Sequence, residues 1–213
     1  MAKYLLILII LVSTAAAATE NKIAFLKGKA WINGKQANSK QVIQYGDSIK
    51  TGKDSLAVLI VQPGATLKLK SNSEMIIKKP RISKTINSQS FILKTGEAFV
   101  KAQKTKTNRY FVKSKNATFG VRGTQFFVSA IKKDNVWMCV NEGSVAVKTQ
   151  ASKKYIVVNA GEGVVIDSPK LPKARRYTWT KNLNWKMNGS YNEIKDSTII
   201  ENLDYDIENF DYD

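Results

Sequence analysis

The chain has 213 residues, with 34 Lys and Arg against 17 Asp and Glu, no histidine and a single cysteine, Cys139. Without histidine there is no Ser-His-Asp or Cys-His catalysis and no His-ligated zinc; with one cysteine there is no intramolecular disulfide and no cysteine-only metal site. Charge is unevenly distributed: residues 19–188 hold 32 basic and 9 acidic residues, a net of +23, whereas residues 189–213 hold 8 acidic and one basic, a net of −7.

Residues 1–18 read as a signal peptide. Lys3 supplies a short positive start, Tyr4 to Val12 is an unbroken apolar run, and Ser13 to Ala18 are small residues suited to cleavage after Ala18. The apolar run is too short to span a bilayer, and no later stretch is long enough. The expected location is periplasmic or secreted, with no transmembrane segment in the mature chain.

Residues 19–168 read as one β domain. Leu56 to Val61 is continuously apolar, the pattern of a strand buried on both faces. Pro63-Gly64 turns the chain. Leu67 and Leu69 then alternate with Lys68 and Lys70, which predicts a half-exposed strand with its lysines outward. Lys78-Lys79-Pro80 closes a first lobe, and residues 81–88 form a polar connection to a second. Short strand patterns continue to Ile166, and Cys139 sits in one of them, Val136 to Val140, as a buried thiol. The fold class expected is all-β: a compact two-lobed body of many short strands.

One template recurs three times: Phe25-x-x-Gly28-x-Ala30-x-Ile32, Leu93-x-x-Gly96-x-Ala98-x-Val100 and Val140-x-x-Gly143-x-Val145-x-Val147. The spacings are too unequal for a solenoid. Glycine between two strand pieces, followed by inward positions two apart, predicts repeated β-corners.

Residues 102–108 form a basic polar loop. With its flanks it offers Lys101, Lys104, Lys106 and Arg109 as a candidate contact loop, set against the reading of a merely mobile one. After it, Gly120-Val121-Arg122-Gly123 places two glycines around Val-Arg. Thr124, Phe126, Val128 and Ala130 then alternate as one face of a strand. Arg122 reads either as a pin for carbonyls freed by the turn or as an anion or partner contact. Gly123 is expected at positive φ. Asp47, between Gly46 and Ser48, reads as an Asx-turn residue.

Residues 169–188 form an extension in which Trp179, Leu183 and Met187 share one helical face, predicting a short helix, with Tyr177 and Trp185 folding back over the β body. Residues 189–213 read as an acidic, flexible tail able to lie on the basic body.

Three stretches, in order, resemble the FecR domain. Val121-Arg122-Gly123-Thr124-Gln125-Phe126 is similar to its VRGT signature followed by E or Q and then F. Gly46-Asp47-Ser48-Ile49-Lys50-Thr51-Gly52 is similar to its GD and TG segment, and Gly64 to Leu69 to one of its strands. The resemblance runs from about Ile23 to Ile166 and marks Gly46, Asp47, Thr51, Gly52, Val121, Arg122, Gly123, Thr124 and Phe126 as family positions. FecR proteins are periplasmic sensor halves of transmembrane anti-sigma regulators. The resemblance here covers only the periplasmic part, as a stand-alone domain.

The function expected is an exported, non-enzymatic binding module of the bacterial envelope, engaging a protein or an anionic envelope polymer. The alternatives are a sensor or regulatory component of envelope signalling, or a basic protein adsorbing to lipopolysaccharide or wall polymer. No catalytic residue, metal, cofactor or nucleic-acid partner is expected.

Overall fold

The computed structural model describes residues 20–131, 135–167 and 170–189. The leader-like segment 1–18 and the tail beyond Gly189 lie outside the described residues. The body is all-β, as its patterning predicts. Its strands are β1 (Lys22–Lys27), β2 (Ala30–Ile32), β3 (Lys35–Gln36), β4 (Ser48–Thr51), β5 (Leu56–Val61), β6 (Ala65–Leu69), β7 (Glu74–Ile77) and β8 (Arg81–Ile82) in the first half. The long β9 (Asn87–Ala102) follows. The second half has β10 (Asn108–Lys113), β11 (Ala117–Val121), β12 (Thr124–Ala130), β13 (Val136–Glu142), β14 (Ser144–Thr149), β15 (Ile156–Asn159), β16 (Glu162–Ile166) and β17 (Arg175–Arg176).

These strands form one hydrogen-bonded network folded into two layers that share β9. Sheet A has the order β1-β5-β6-β9-β12-β13-β16-β17. Sheet B contains β3-β2-β4-β7-β9-β10-β11-β14-β15, with β8 also on β9. The two halves of the sequence therefore lie on either side of β9 in both layers, and this is the physical form of the two lobes. Between the layers lies one core, built from Leu59, Leu67, Val100, Phe126 and Val128 of sheet A against Met75, Phe91, Tyr110, Phe119 and Val147 of sheet B. Leaving sheet B at the middle of β9 lets the chain return through sheet A and lay β10 parallel to β9.

The recurring glycine template marks the passages between layers. Gly28 joins β1 to β2, Gly96 lies inside β9, and Gly143 joins β13 to β14. Their φ values are +73°, +87° and +77°. A Cβ at each would lie 2.3 Å from Ser55 Oγ, 2.3 Å from Ser73 Oγ and 2.5 Å from Gly123 O, respectively. Only glycine satisfies both the dihedral and the space. At two corners the next residue is tied to the serine that fills the gap: Lys29 N–H donates to Ser55 Oγ and Glu97 N–H to Ser73 Oγ, both at 2.9 Å.

The outer face of sheet A departs from the sequence reading. Lys68 is fully buried, and Lys70 is largely covered in an ion pair with Glu97 at 3.2 Å. Alternation does aim both lysines away from the core, but the extension covers that face. Tyr177 packs edge-on to Trp137, Leu183 joins Phe99, Phe127, Trp137 and Cys139, and Trp185 stands edge-on to Phe99 with centroids 5.3 Å apart. The Lys68 ammonium lies 4.0 Å from the Phe99 ring centroid. It donates to Asn184 O at 2.6 Å and Lys186 O at 2.9 Å, while Gln125 Nε2 donates to Trp185 O at 2.6 Å. At the far edge Gly189 lies against Phe25 of β1. The extension thus crosses the sheet from β17 to β1 as a strap. Its helical content is a five-residue 3-10 segment, Thr178–Asn182, rather than the predicted helix on Trp179, Leu183 and Met187. Leu183 already has extended backbone, because the strap's carbonyls are taken by Lys68 and Gln125 instead of by a helical ladder. Cys139 is buried as expected, and burial pushes its thiol pKa well up.

Candidate anion-binding face

The family positions turn out to hold corners together. Gly46 has φ +103°. Asp47 is a turn residue, but not through an Asx turn: its carboxylate accepts from Gln44 N–H, three residues back, and from Asn33 Nδ2, each at 2.7 Å. Thr51 is buried and takes Ser73 N–H on its hydroxyl at 3.0 Å. A Cβ on Gly52 would press the Trp31 ring at 3.2 Å. Val121, Thr124 and Phe126 are buried. Gly123 has the expected positive φ, +65°, and the Lys104 stem fills the space beside it.

Arg122 requires a correction. It is exposed, and its Nε–H donates to one turn carbonyl, Thr105 O, at 3.0 Å. The reading of a buried pin serving several carbonyls fails because the turn projects the side chain outward over the 103–107 loop. Its loss should therefore cost little. The contact-loop residues also separate. Lys104 lies on Gly123, and Arg109 Nη1 donates to Asn108 O at 3.1 Å and Lys106 O at 3.3 Å. Lys101 instead lies toward sheet A, in a shallow recess it shares with Gln125 and Trp185 of the strap.

Five cations gather on the outer face of sheet B, where strand register orders the side chains into rows. One row is Arg81–Ser88–Arg109 across β8, β9 and β10. The next is Ser90–Phe111–Gly120–Ala146–Val157 across β9, β10, β11, β14 and β15. The third is Ile92–Lys113–Thr118–Lys148 across β9, β10, β11 and β14. The middle row is smooth: Phe111 leans toward Gly120, and a Cβ there would meet its ring at an ordinary 3.5 Å. Arg81 and Ser88 of the first row, Ser90 and Phe111 of the second and the whole third row line a shallow groove of about 600 Å³, and Gly120, Ala146 and Val157 carry the middle row on beyond it. Lys78, Lys79, Arg81, Lys113 and Lys148 border it, and no acidic residue does. The described ion pairs, Lys70–Glu97 and Lys94–Glu74, lie elsewhere. Five cations facing one concavity without carboxylates raise the local concentration of anions.

Residues 47–146 match the family model of the FecR protein. That segment of the chain is a FecR domain. It runs from the turn at Asp47 through β9 to Ala146 in the middle row, so it contains the Gly96 and Gly143 corners and most of the groove. Two crystal structures of a candidate anti-sigma factor from Parabacteroides distasonis ATCC 8503 share the fold, with TM-scores of 0.52 and 0.51 and 15% identity in each case. Each alignment covers 61% of this chain and 59% of the other, so the chain spans under two thirds of those proteins' length. No curated protein matches the chain.

Among the described residues no group of three or more Cys, Asp and Glu is placed to hold a metal ion, and no helix is long and apolar enough to cross a membrane. The groove of the FecR domain escaped the sequence reading. Its cations come from β8, β10, β14 and the turn after β7, and nothing in the linear order joins them. The only available signal was the outward alternation of Arg109, Phe111 and Lys113 beside the outward Thr118 and Gly120.

Proposed function

We propose that this chain is an exported, non-enzymatic binding module of the bacterial envelope, whose FecR domain engages an anionic partner on the outer face of sheet B. The observation that carries this reading is the groove bordered by five cations and no carboxylate. The signal-peptide pattern of residues 1–18 and the net +23 of residues 19–188 support it. The absence of histidine, and the structural use of Asp47 and Thr51, leave the family positions no acid–base role.

The test is charge reversal at constant net charge. Lys113→Glu/Lys148→Glu is compared with Lys35→Glu/Lys53→Glu, two exposed lysines outside the groove. Each exposed pair is worth about 0–1 kcal/mol, so reversal at two groove positions should weaken dextran sulfate binding about tenfold relative to the control pair. Equal losses in both variants would make the binding diffuse adsorption and overturn the groove.

A second reading, a sensor or regulatory component of envelope signalling, is favoured by the FecR domain and by the fold shared with the candidate anti-sigma factor. It requires a protein partner. Capture of one envelope protein that stays bound at several hundred millimolar salt, where screening shortens the Debye length to about 3–5 Å, would favour it over polymer binding.

A further inference from the structure

We infer that the anionic partner of the sheet B groove is an extended acidic glycan, a sugar chain bearing carboxylates, lying across the strands along the Ser90–Phe111–Gly120–Ala146–Val157 row. This rests on the anion-binding reading above and names the class of ligand.

The argument starts from the dimensions of the face. The row crosses five adjacent strands, so at about 4.8 Å per strand it is about 19 Å long. Arg109 and Lys113 flank Phe111 two residues away on either side, so the rows they belong to are about 13 Å apart at about 3.3 Å per residue. A strip of that width takes one extended chain, with its charged substituents reaching cations on both sides. Arg81 offers a forked donor along one border, suited to bidentate carboxylate recognition, with Arg109 behind it held on the Lys106 and Asn108 carbonyls. Lys113 and Lys148 serve the other.

The floor of the strip decides between polymers. Phosphate-only polymers need cations but no apolar surface. Here the middle row is apolar: the half-buried Phe111 with its ring beside Gly120 and then, where the row runs on past the groove, Ala146 and Val157, the last 48% exposed. Tyr155, 65% exposed, immediately precedes β15, whose first residue Ile156 pairs with Val147, the neighbour of Lys148. Outward hydroxyls at Ser88, Ser90 and Thr118 interleave with the cations. An apolar floor with aromatic patches, hydroxyl-bearing walls and flanking cations matches the CH faces, hydroxyls and carboxylates of an acidic sugar chain. Gly120 fits this account. In a strand interior, glycine marks a place where another chain approaches closely. No positive φ demands it, and a Cβ would have ordinary contacts.

The test uses the full chain, an oligogalacturonate, a polyphosphate of matched charge and a single-stranded oligonucleotide, with affinities from calorimetry. Tyr155→Ala removes an exposed ring, and Gly120→Val raises the floor with a residue strands favour. Neither changes charge, and unchanged melting temperatures confirm that the fold is kept. Both should weaken oligogalacturonate binding about tenfold, or about 1.4 kcal/mol, and leave polyphosphate binding within about twofold. Lys113→Glu/Lys148→Glu should weaken both. Oligogalacturonate binding insensitive to Tyr155→Ala and Gly120→Val would overturn the glycan while leaving the anion site standing. Tighter binding of the oligonucleotide would overturn it in favour of nucleic acid. Binding of none of the three would overturn the anion site itself.

Discussion

Gly96→Val is expected to remove on the order of 5 kcal/mol of stability, much of what a domain of this size holds. Gly96 has φ +87°, where a side chain strains the backbone by about 1–2 kcal/mol. Its Cβ would lie 2.4 Å from Ser73 Cα, a backbone atom that cannot swing aside. Ser73 is fully buried. Its N–H donates to Thr51 Oγ1 at 3.0 Å, and its hydroxyl donates to Glu97 O at 3.0 Å while accepting from Glu97 N–H at 2.9 Å. Relieving the clash breaks these bonds at about 1–3 kcal/mol for each buried group left unmet, on top of about 1–3 kcal/mol of overpacking. Because β9 belongs to both sheets, the disturbance is global. At about 2–4 °C per kcal/mol, the melting temperature should fall by about 10 °C or more, and the variant should accumulate as insoluble protein. Gly120→Ala, at ordinary contact distance in β11, should stay within about 1 kcal/mol of wild type. A Gly96→Val protein melting within a few degrees of the parent would refute the corner account.

The corners were legible because they are local. A glycine forced by dihedral and space leaves a mark at one position, and the surrounding Phe25-x-x-Gly28-x-Ala30-x-Ile32 pattern records the change of layer around it. Asp47 and Gly123 were legible for the same reason, since a turn is decided by the few residues that form it. Lys68 was not. Alternation correctly turns it away from the core, but solvent is excluded from that side by carbonyls 116 and 118 residues further on. The groove was hidden by the same non-locality, since register, not sequence, brings Arg81 beside Ser88 and Lys148 beside Thr118. Arg122 misled because glycines on both sides look like enclosure, whereas the turn they form points the side chain outward. The strap misled in its conformation: apolar residues at i, i+4 and i+8 suit a helix, but a chain crossing the strands of a sheet also meets successive apolar positions.

Lys68→Ala should free the strap while leaving the rest of the β body folded. The Lys68 ammonium holds Asn184 O and Lys186 O and lies on Phe99, so one side chain joins β6, β9 and the strap. Hydrogen bonds to a charged donor are worth about 1.5–3 kcal/mol, and the loss of two exceeds what Gln125 alone can hold. The two carbonyls belong to residues that are at least partly accessible, so once loosened they turn to water, and the penalty is paid as local opening, not global unfolding. Opening uncovers Cys139, whose thiol is shielded with Leu183, Phe127 and Trp137. A loss of about 3 kcal/mol in strap docking should raise the rate of Cys139 labelling by a thiol reagent about 100-fold, because each 1.4 kcal/mol is a factor of ten in the open population. Trp185 fluorescence should shift to the red in parallel. Lys68→Met separates the ammonium from its stem: it keeps the packing on Phe99 and loses only the charged bonds, so its labelling rate should fall between those of wild type and Lys68→Ala. If Cys139 stays as protected in Lys68→Ala as in the parent, the strap is held by its aromatic contacts alone, and the buried ammonium is not its latch.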